Sequence, residues 1–86
     1  MSIADIVTIG TTQVSAEISD IRMRQQPGPA GDFNIAQKVR DFIFTPSTLI
    51  AGLSFNDKIT YDLEYSVLTM RTQRDGRVRV VGALPG

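Results

Sequence analysis

Between Asp41 and Val81 the chain reads DFIFTPSTLIAGLSFNDKITYDLEYSVLTMRTQRDGRVRVV, and this stretch constrains the fold more than any other. It holds three β-signals, each bounded by turn chemistry. Asp41 to Phe44 sets Phe42 and Phe44 on one face and then meets Pro46. Lys58 to Tyr61 sets Ile59 and Tyr61 on one face, directly after Asn56-Asp57. Tyr65 to Thr72 leads through Arg74-Asp75-Gly76 into Arg77 to Val81. Successive side chains of a strand point to opposite faces, so alternating apolar residues mark a buried side. Asp75-Gly76 between two such runs is a hairpin signal, because glycine takes positive φ without steric cost. The stretch predicts a β-meander that closes a small sheet or barrel.

Composition narrows what surrounds it. Eighty-six residues suit one domain, residues 1–86, with a small core. A domain of this size gains from a disulfide, a metal or self-association. The chain has no Cys and no His, which removes disulfides, thiolates and imidazole ligands together and leaves self-association, or a compact barrel that folds alone. Nine basic residues balance nine acidic ones, so overall charge does not drive nucleic-acid binding. No apolar run approaches the ~20 residues of a spanning helix. The start MSIADIVTIG lacks the basic region and apolar run of a signal peptide. No membrane partner and no cofactor are expected.

The remaining segments read as follows. Ser2 to Ile9 fits a short strand, with Ile3, Val7 and Ile9 on one parity broken by Asp5, or a one-turn helix opened by Ser2 as a cap, and Gly10-Thr11-Thr12 predicts a turn. From Val14 the apolar parity is Val14, Ala16, Ile18, and then it slips to Ile21 and Met23. A slip of one residue fits either a β-bulge or two short strands. Gln25 to Asp32, QQPGPAGD, has two Pro and two Gly, so no ladder is expected through it, and residues 22–32 are expected as an exposed loop. Helical and alternating spacings overlap in Phe33 to Phe44, and the β-branched and aromatic end favours a strand from about Gln37 to Phe44. Thr45 to Ala51 has room for one helical turn, capped by Thr45 with Pro46 at its first position. Asp62-Leu63-Glu64, between Tyr61 and Tyr65, carries no glycine. The tail GALPG, residues 82–86, is expected to be flexible unless docked.

Chemistry is sparse. There is no phosphate loop, no nucleophile elbow and, without His or Cys, no common nucleophile–base pair, so an enzyme is not expected. Asp62 and Glu64 read as solvated acids beside a turn. Tyr61 and Tyr65 near Arg71 resemble a single-strand stacking platform, but both tyrosines fit the core parity. Charge, however, is segregated. Residues 1–20 hold Asp5, Glu17 and Asp20 and no base, whereas residues 66–86 hold Arg71, Arg74, Arg77 and Arg79 against Asp75. Solvated faces, head-to-tail contact between identical subunits and a basic stripe facing DNA all fit that split.

The stretch from Val39 to Val81 also resembles the small head-closure proteins (head-tail joining or stopper proteins) of tailed bacteriophages. The features are the apolar strand Val39 to Phe44, TPSTL with a short linker, Asn56-Asp57-Lys58-Ile59, Tyr65-Ser66-Val67, and the polar turn at Asp75-Gly76 before a closing strand. Asn56 and Leu63 stand where that family more often has glycine. The resemblance implies a mainly β fold, a small β-barrel or sandwich with a long exposed loop and at most one short helix. It implies a structural protein of the virion, assembled in the host cytoplasm as a homo-oligomeric ring below the portal. There it retains packaged DNA and offers a docking surface to the tail, with portal or adaptor proteins, tail proteins and channel DNA as partners. It brings no catalytic residues. The core expected is Val39, Phe42, Phe44, Ile59, Tyr61, Tyr65, Val67, Val78 and Val80. The contact residues expected are Arg22, Arg24, Pro27 and Pro29 of the loop, the acids Asp5, Glu17 and Asp20, and the bases Arg71, Arg74, Arg77 and Arg79. The competing reading is a stand-alone OB-like or SH3-like barrel that binds a peptide or nucleic acid.

Overall fold

Among the described residues, seven strands and one helical turn make up the fold. A computed structural model describes residues 3–27 and 34–85. In chain order the elements are β1 (Ile3–Ile9), β2 (Thr12–Ile18), β3 (Arg22–Pro27), β4 (Asn34–Phe44), α1 (Thr48–Ala51), β5 (Lys58–Thr60), β6 (Glu64–Thr72) and β7 (Val78–Ala83). The sheet runs β2-β1-β5-β6-β7-β4-β3, and β2 also pairs with β4. That last pairing closes six strands into an antiparallel barrel, with β3 attached to the free part of β4. The fold is mainly β with one short helix, as the alternation predicts.

Inside the barrel the alternating residues meet. Val7 and Ile9, Ala16 and Ile18, Phe42 and Phe44, Ile59, Tyr65 and Val67, and Val80 form one buried cluster, with Ile50 and Leu53 from the α1 segment packed into it. The Phe42 and Tyr65 rings meet edge to face at 5.1 Å, and Phe42 stacks on Phe44 at 6.5 Å. Each of these large side chains contributes about 1.5–3 kcal/mol of transfer energy on burial. Tyr61 and Val78 are partly buried at the margin of the cluster. Val39, expected in this core, is buried but lies outside it. Its parity is that of Asp41, on the outer face of β4.

Gly82 explains how the rings fit. It sits on the inner side of β7, where a Cβ would come within 3.0 Å of both Phe42 Cε2 and Tyr65 Cβ. The absence of a side chain there is what lets the two aromatics share one layer. The turn between β6 and β7 uses Gly76 at φ 87, with Gln73 N–H donating to Arg77 O at 2.7 Å.

Two one-residue register slips decide which side chains face outward. On one edge of β4 the ladder pairs Ile18 with Phe42 and resumes with Arg22 opposite Val39. Four steps along the β2–β3 segment thus match three along β4. The segment forms two strands, and the break at Ser19-Asp20-Ile21 carries the extra residue. Ser19 N–H donates to Asp41 O, and Asp41 N–H donates to Ser19 Oγ. The second slip is in β6, where the pairing with β7 shifts between Val67 and Thr69. A slip of one residue moves everything beyond it to the opposite face.

Three expectations change. Residues 22–27 are a strand and not a loop: Gln25, Gln26 and Pro27 pair with Ala36, Ile35 and Asn34. Among the described residues β3 has β4 as its one strand neighbour, and an edge strand tolerates a proline at its end because that position needs no ladder donor. Residues 28–33, which include Pro29, lie outside the described residues. The helix begins at Thr48 with Ser47 as its cap, its Oγ accepting from Ile50 N–H at 3.2 Å, and not with Thr45 and Pro46. The tail is docked at its start: Gly82 and Ala83 belong to β7, and Leu84 N–H donates to Lys38 O at 3.0 Å.

Candidate functional site

On the outer face of β6, β7, β4 and β3 the two slips gather four arginines. In β6 the inward residues before the slip are Tyr65 and Val67. After it, Met70 packs against the core opposite Val80, and Arg71 turns outward opposite Arg79. In β3 the slip places Arg22 beside Val39, with Arg24 two residues further along the same face. Without the slips Arg71 would point into the barrel and Arg22 away from Asp41.

Asp41 is the centre of this face. It is 9% exposed, and its β7 partner is Val81. Arg79 Nη2 donates to its Oδ2 at 2.7 Å and Arg22 Nη2 donates to its Oδ1 at 3.0 Å. Both arginines reach it diagonally, a separation long side chains span across a ladder. The two arginine side chains are about two-fifths exposed, so the pairs hold them in place without hiding them. Arg24 and Arg71 form no ion pair among the described residues. Four arginines against one aspartate leave three positive charges on one surface. Between them lies a groove of about 330 Å³, lined also by Thr69, Met70 and Val81.

A second polar cluster closes one end of the barrel. Arg40 shares the inward parity of Phe42. Its Nη1 donates to Asp62 Oδ2 at 3.2 Å and to the Tyr65 hydroxyl at 3.3 Å, and its Nε donates to Ser19 O at 2.7 Å. Its guanidinium lies 5.2 Å from the Tyr61 ring centroid. The Tyr65 hydroxyl donates to Asp62 Oδ1 at 2.6 Å, which holds that carboxyl below the ordinary aspartate value. Burial first, and this bond second, push the Tyr65 phenol above its ordinary value. Arg40, Asp62, Tyr61 and Tyr65 each hold at least one hydrogen bond within the chain, so the cluster reads as a plug for the barrel.

The expected contact residues therefore separate. Arg22, Arg24, Arg71 and Arg79 come together. Arg77 leaves the group: its Nη1 donates to Glu17 Oε2 at 2.9 Å and its Nε to Asp75 Oδ2 at 2.7 Å. Arg77 N–H, first, and its guanidinium, second, hold the Asp75 carboxyl below its ordinary value. The charge split seen along the sequence is thus partly closed within one chain, because β4 carries β7 on one side and β2 on the other. Asp5 accepts from the Tyr61 hydroxyl at 3.0 Å. Asp20 lies at the break between β2 and β3, Arg74 in the exposed β6–β7 turn and Pro27 at the end of β3. The tyrosines pair with Arg40 and not with Arg71, which is on the other side of the barrel wall. Asp62 is engaged by Arg40 and Tyr65 rather than free in solvent. Asp41, which holds Arg22 and Arg79, is not among the contact residues expected from the sequence. Its signal was an acid between Arg40 and Phe42 in an otherwise apolar run.

Among the described residues no group of three acids, His or Cys is placed to hold a metal ion, and no helix is long and apolar enough to cross a membrane. No family model matches the chain, no curated protein matches it, and no solved structure matches its fold.

Proposed function

We propose that this chain acts by contact rather than catalysis, as a head-completion or head-tail connector subunit of a tailed bacteriophage. In this reading copies assemble as a ring below the portal, retain packaged DNA and present a docking surface to the tail. The resemblance across Val39 to Val81 supplies the class. The observation that supports an assembling subunit is the β3–β4 ribbon. β4 pairs with β7 only as far as Val39 opposite Ala83, so beyond it the backbone of 34–37 has, among the described residues, β3 alone as a strand neighbour. A two-stranded ribbon is marginal by itself. A neighbouring subunit that covers it supplies the missing third layer.

The test is solution mass by light scattering across concentrations, with and without DNA-filled heads lacking this chain. Replacing 26–35 by a two-residue Asn-Gly turn shortens the ribbon and leaves the barrel whole. It should abolish incorporation into heads while leaving the circular dichroism spectrum and thermal midpoint of the subunit close to those of the parent. Normal incorporation of the shortened chain rules the reading out. The arginine face favours the second reading, a stand-alone small-barrel module that holds nucleic acid. A chain that stays monomeric with and without heads, yet shows salt-sensitive affinity for DNA, belongs to that class.

A further inference from the structure

We infer that the outer face carrying Arg22, Arg24, Arg71 and Arg79 is a binding site for the phosphate backbone of a nucleic-acid duplex. The inference holds whether the barrel works in a ring or alone. Three observations converge on it. Arg71 and Arg79 lie directly opposite each other on β6 and β7. Like charges in that position destabilise a sheet, and although Asp41 relieves Arg79, nothing among the described residues relieves Arg71. Arg22 and Arg79 are held by the two oxygens of one nearly buried carboxylate, so their guanidinium groups are oriented before any ligand arrives. The whole chain is neutral, yet this one face keeps an excess of three positive charges.

The geometry selects the ligand. The arginines span β6, β7, β4 and β3, three interstrand spacings, or about 14 Å. A single phosphate could meet a convergent pair, as the Asp41 carboxylate meets Arg22 and Arg79, but Arg24 and Arg71, rooted on the outermost two of these strands, suit the two backbones that flank a ~12 Å major groove. Guanidinium is also the side chain that best matches phosphate oxygens two at a time. Among the described residues the groove between the arginines is lined by Thr69, Met70 and Val81 and offers no aromatic ring on which an unpaired base could stack. The contacts therefore read backbone and not sequence, and they favour a duplex over a single strand. Arg74 and Arg77, close in sequence, have no part in it: one lies in the turn, and the other is occupied by Glu17 and Asp75.

The experiment is fluorescence anisotropy of a labelled 20-base-pair DNA duplex, titrated with the chain from low to moderate salt. Three neutralised phosphates give a slope of log K against log salt of about −2.7, a loss of roughly 500-fold for a ten-fold rise in salt. Arg24→Gln or Arg71→Gln should make the slope shallower by about 1, and Arg24→Glu with Arg71→Glu should remove binding. Neither side chain holds an ion pair in the described fold, so the thermal midpoint should stay near that of the parent. The Gln variants remain informative if the double Glu variant does not fold. Arg74→Glu should change affinity less than two-fold. Failure to bind the duplex at low salt overturns the assignment. So does an Arg74→Glu effect as large as that of Arg71→Glu, or equal affinity for the duplex, a single strand and polyglutamate.

Discussion

Tyr65 carries two jobs that a smaller residue would separate. Its ring fills the barrel against Phe42, and its hydroxyl ties Asp62 and Arg40 across the barrel end. The sign of its pH dependence follows from the direction of each shift. Asp62 ionises more easily folded than unfolded, so its contribution is complete above the ordinary value of 3.8 and is lost as pH falls through the lower folded value. Tyr65 ionises less easily folded, so its contribution is complete below 10.0 and is lost as pH rises through the higher folded value. Tyr61, donating to Asp5, shifts the same way. An absorbance titration of the phenols should show both tyrosines ionising above 10.0 while the chain stays folded, and a midpoint at or below that value would contradict the described contacts. Gly82 sets a steric limit in the same layer. Gly82→Ala drives a methyl against Phe42 and the Tyr65 Cβ, and should cost about 1–3 kcal/mol in urea unfolding, the range for overpacking a filled core.

At the level of elements, the short helix and the ribbon make opposite claims. α1 has four residues and no acid in its first turn, so its start depends on the Ser47 hydroxyl. Ser47→Ala should lower stability by about 0.5–2 kcal/mol, whereas Thr45→Ala, at the position the sequence favoured for the cap, should change it little. Chemical denaturation of both variants decides between them. The ribbon of β3 and the first part of β4 has one ladder where the barrel strands have two. Amide exchange should be slowest at Phe42, Phe44, Ile59, Tyr65 and Val80, which are fully buried, and much faster along 24–26 and 34–37 in the free subunit. Equal protection in both regions would remove the ribbon's claim on an outside partner.

For the molecule as a whole, closure of the barrel turns a neutral chain into an uneven surface. Glu17 and Arg77, sixty residues apart, neutralise each other at the side of the barrel. Asp5 is taken by Tyr61. Arg24 and Arg71 remain, beside two arginines that share one aspartate. Salt should therefore act on two properties separately. Fold stability should hardly change with salt, because exposed pairs such as Glu17–Arg77 contribute only ~0.2–1 kcal/mol and are screened. Duplex affinity should fall steeply. Thermal unfolding and anisotropy at matched salt concentrations measure the two, and parallel loss of both would tie the arginine face to folding rather than to a ligand.

The sequence by itself determined the barrel strands, though not β3, because period-two alternation reports burial directly and turn residues report where it stops. Phe42, Phe44, Ile59, Tyr65 and Val80 are buried for the reason their spacing suggests, and the Asp75-Gly76 hairpin forms where glycine permits positive φ. Even the slip after Ile18 was visible, as a change of parity at Ile21 and Met23. The slip in β6 was not. Val67, Leu68 and Met70 suit either face, so nothing local shows that the register moves at Leu68. Alternation likewise says which residues share a face and not which strands share an edge. Only the tertiary structure decided that β4 would carry β3 on one edge and β7 on the other, which brings Arg22 and Arg79 to the same carboxylate. Charges have no period, and their grouping depends on long-range strand order, so the four-arginine face could not be read until the barrel closed.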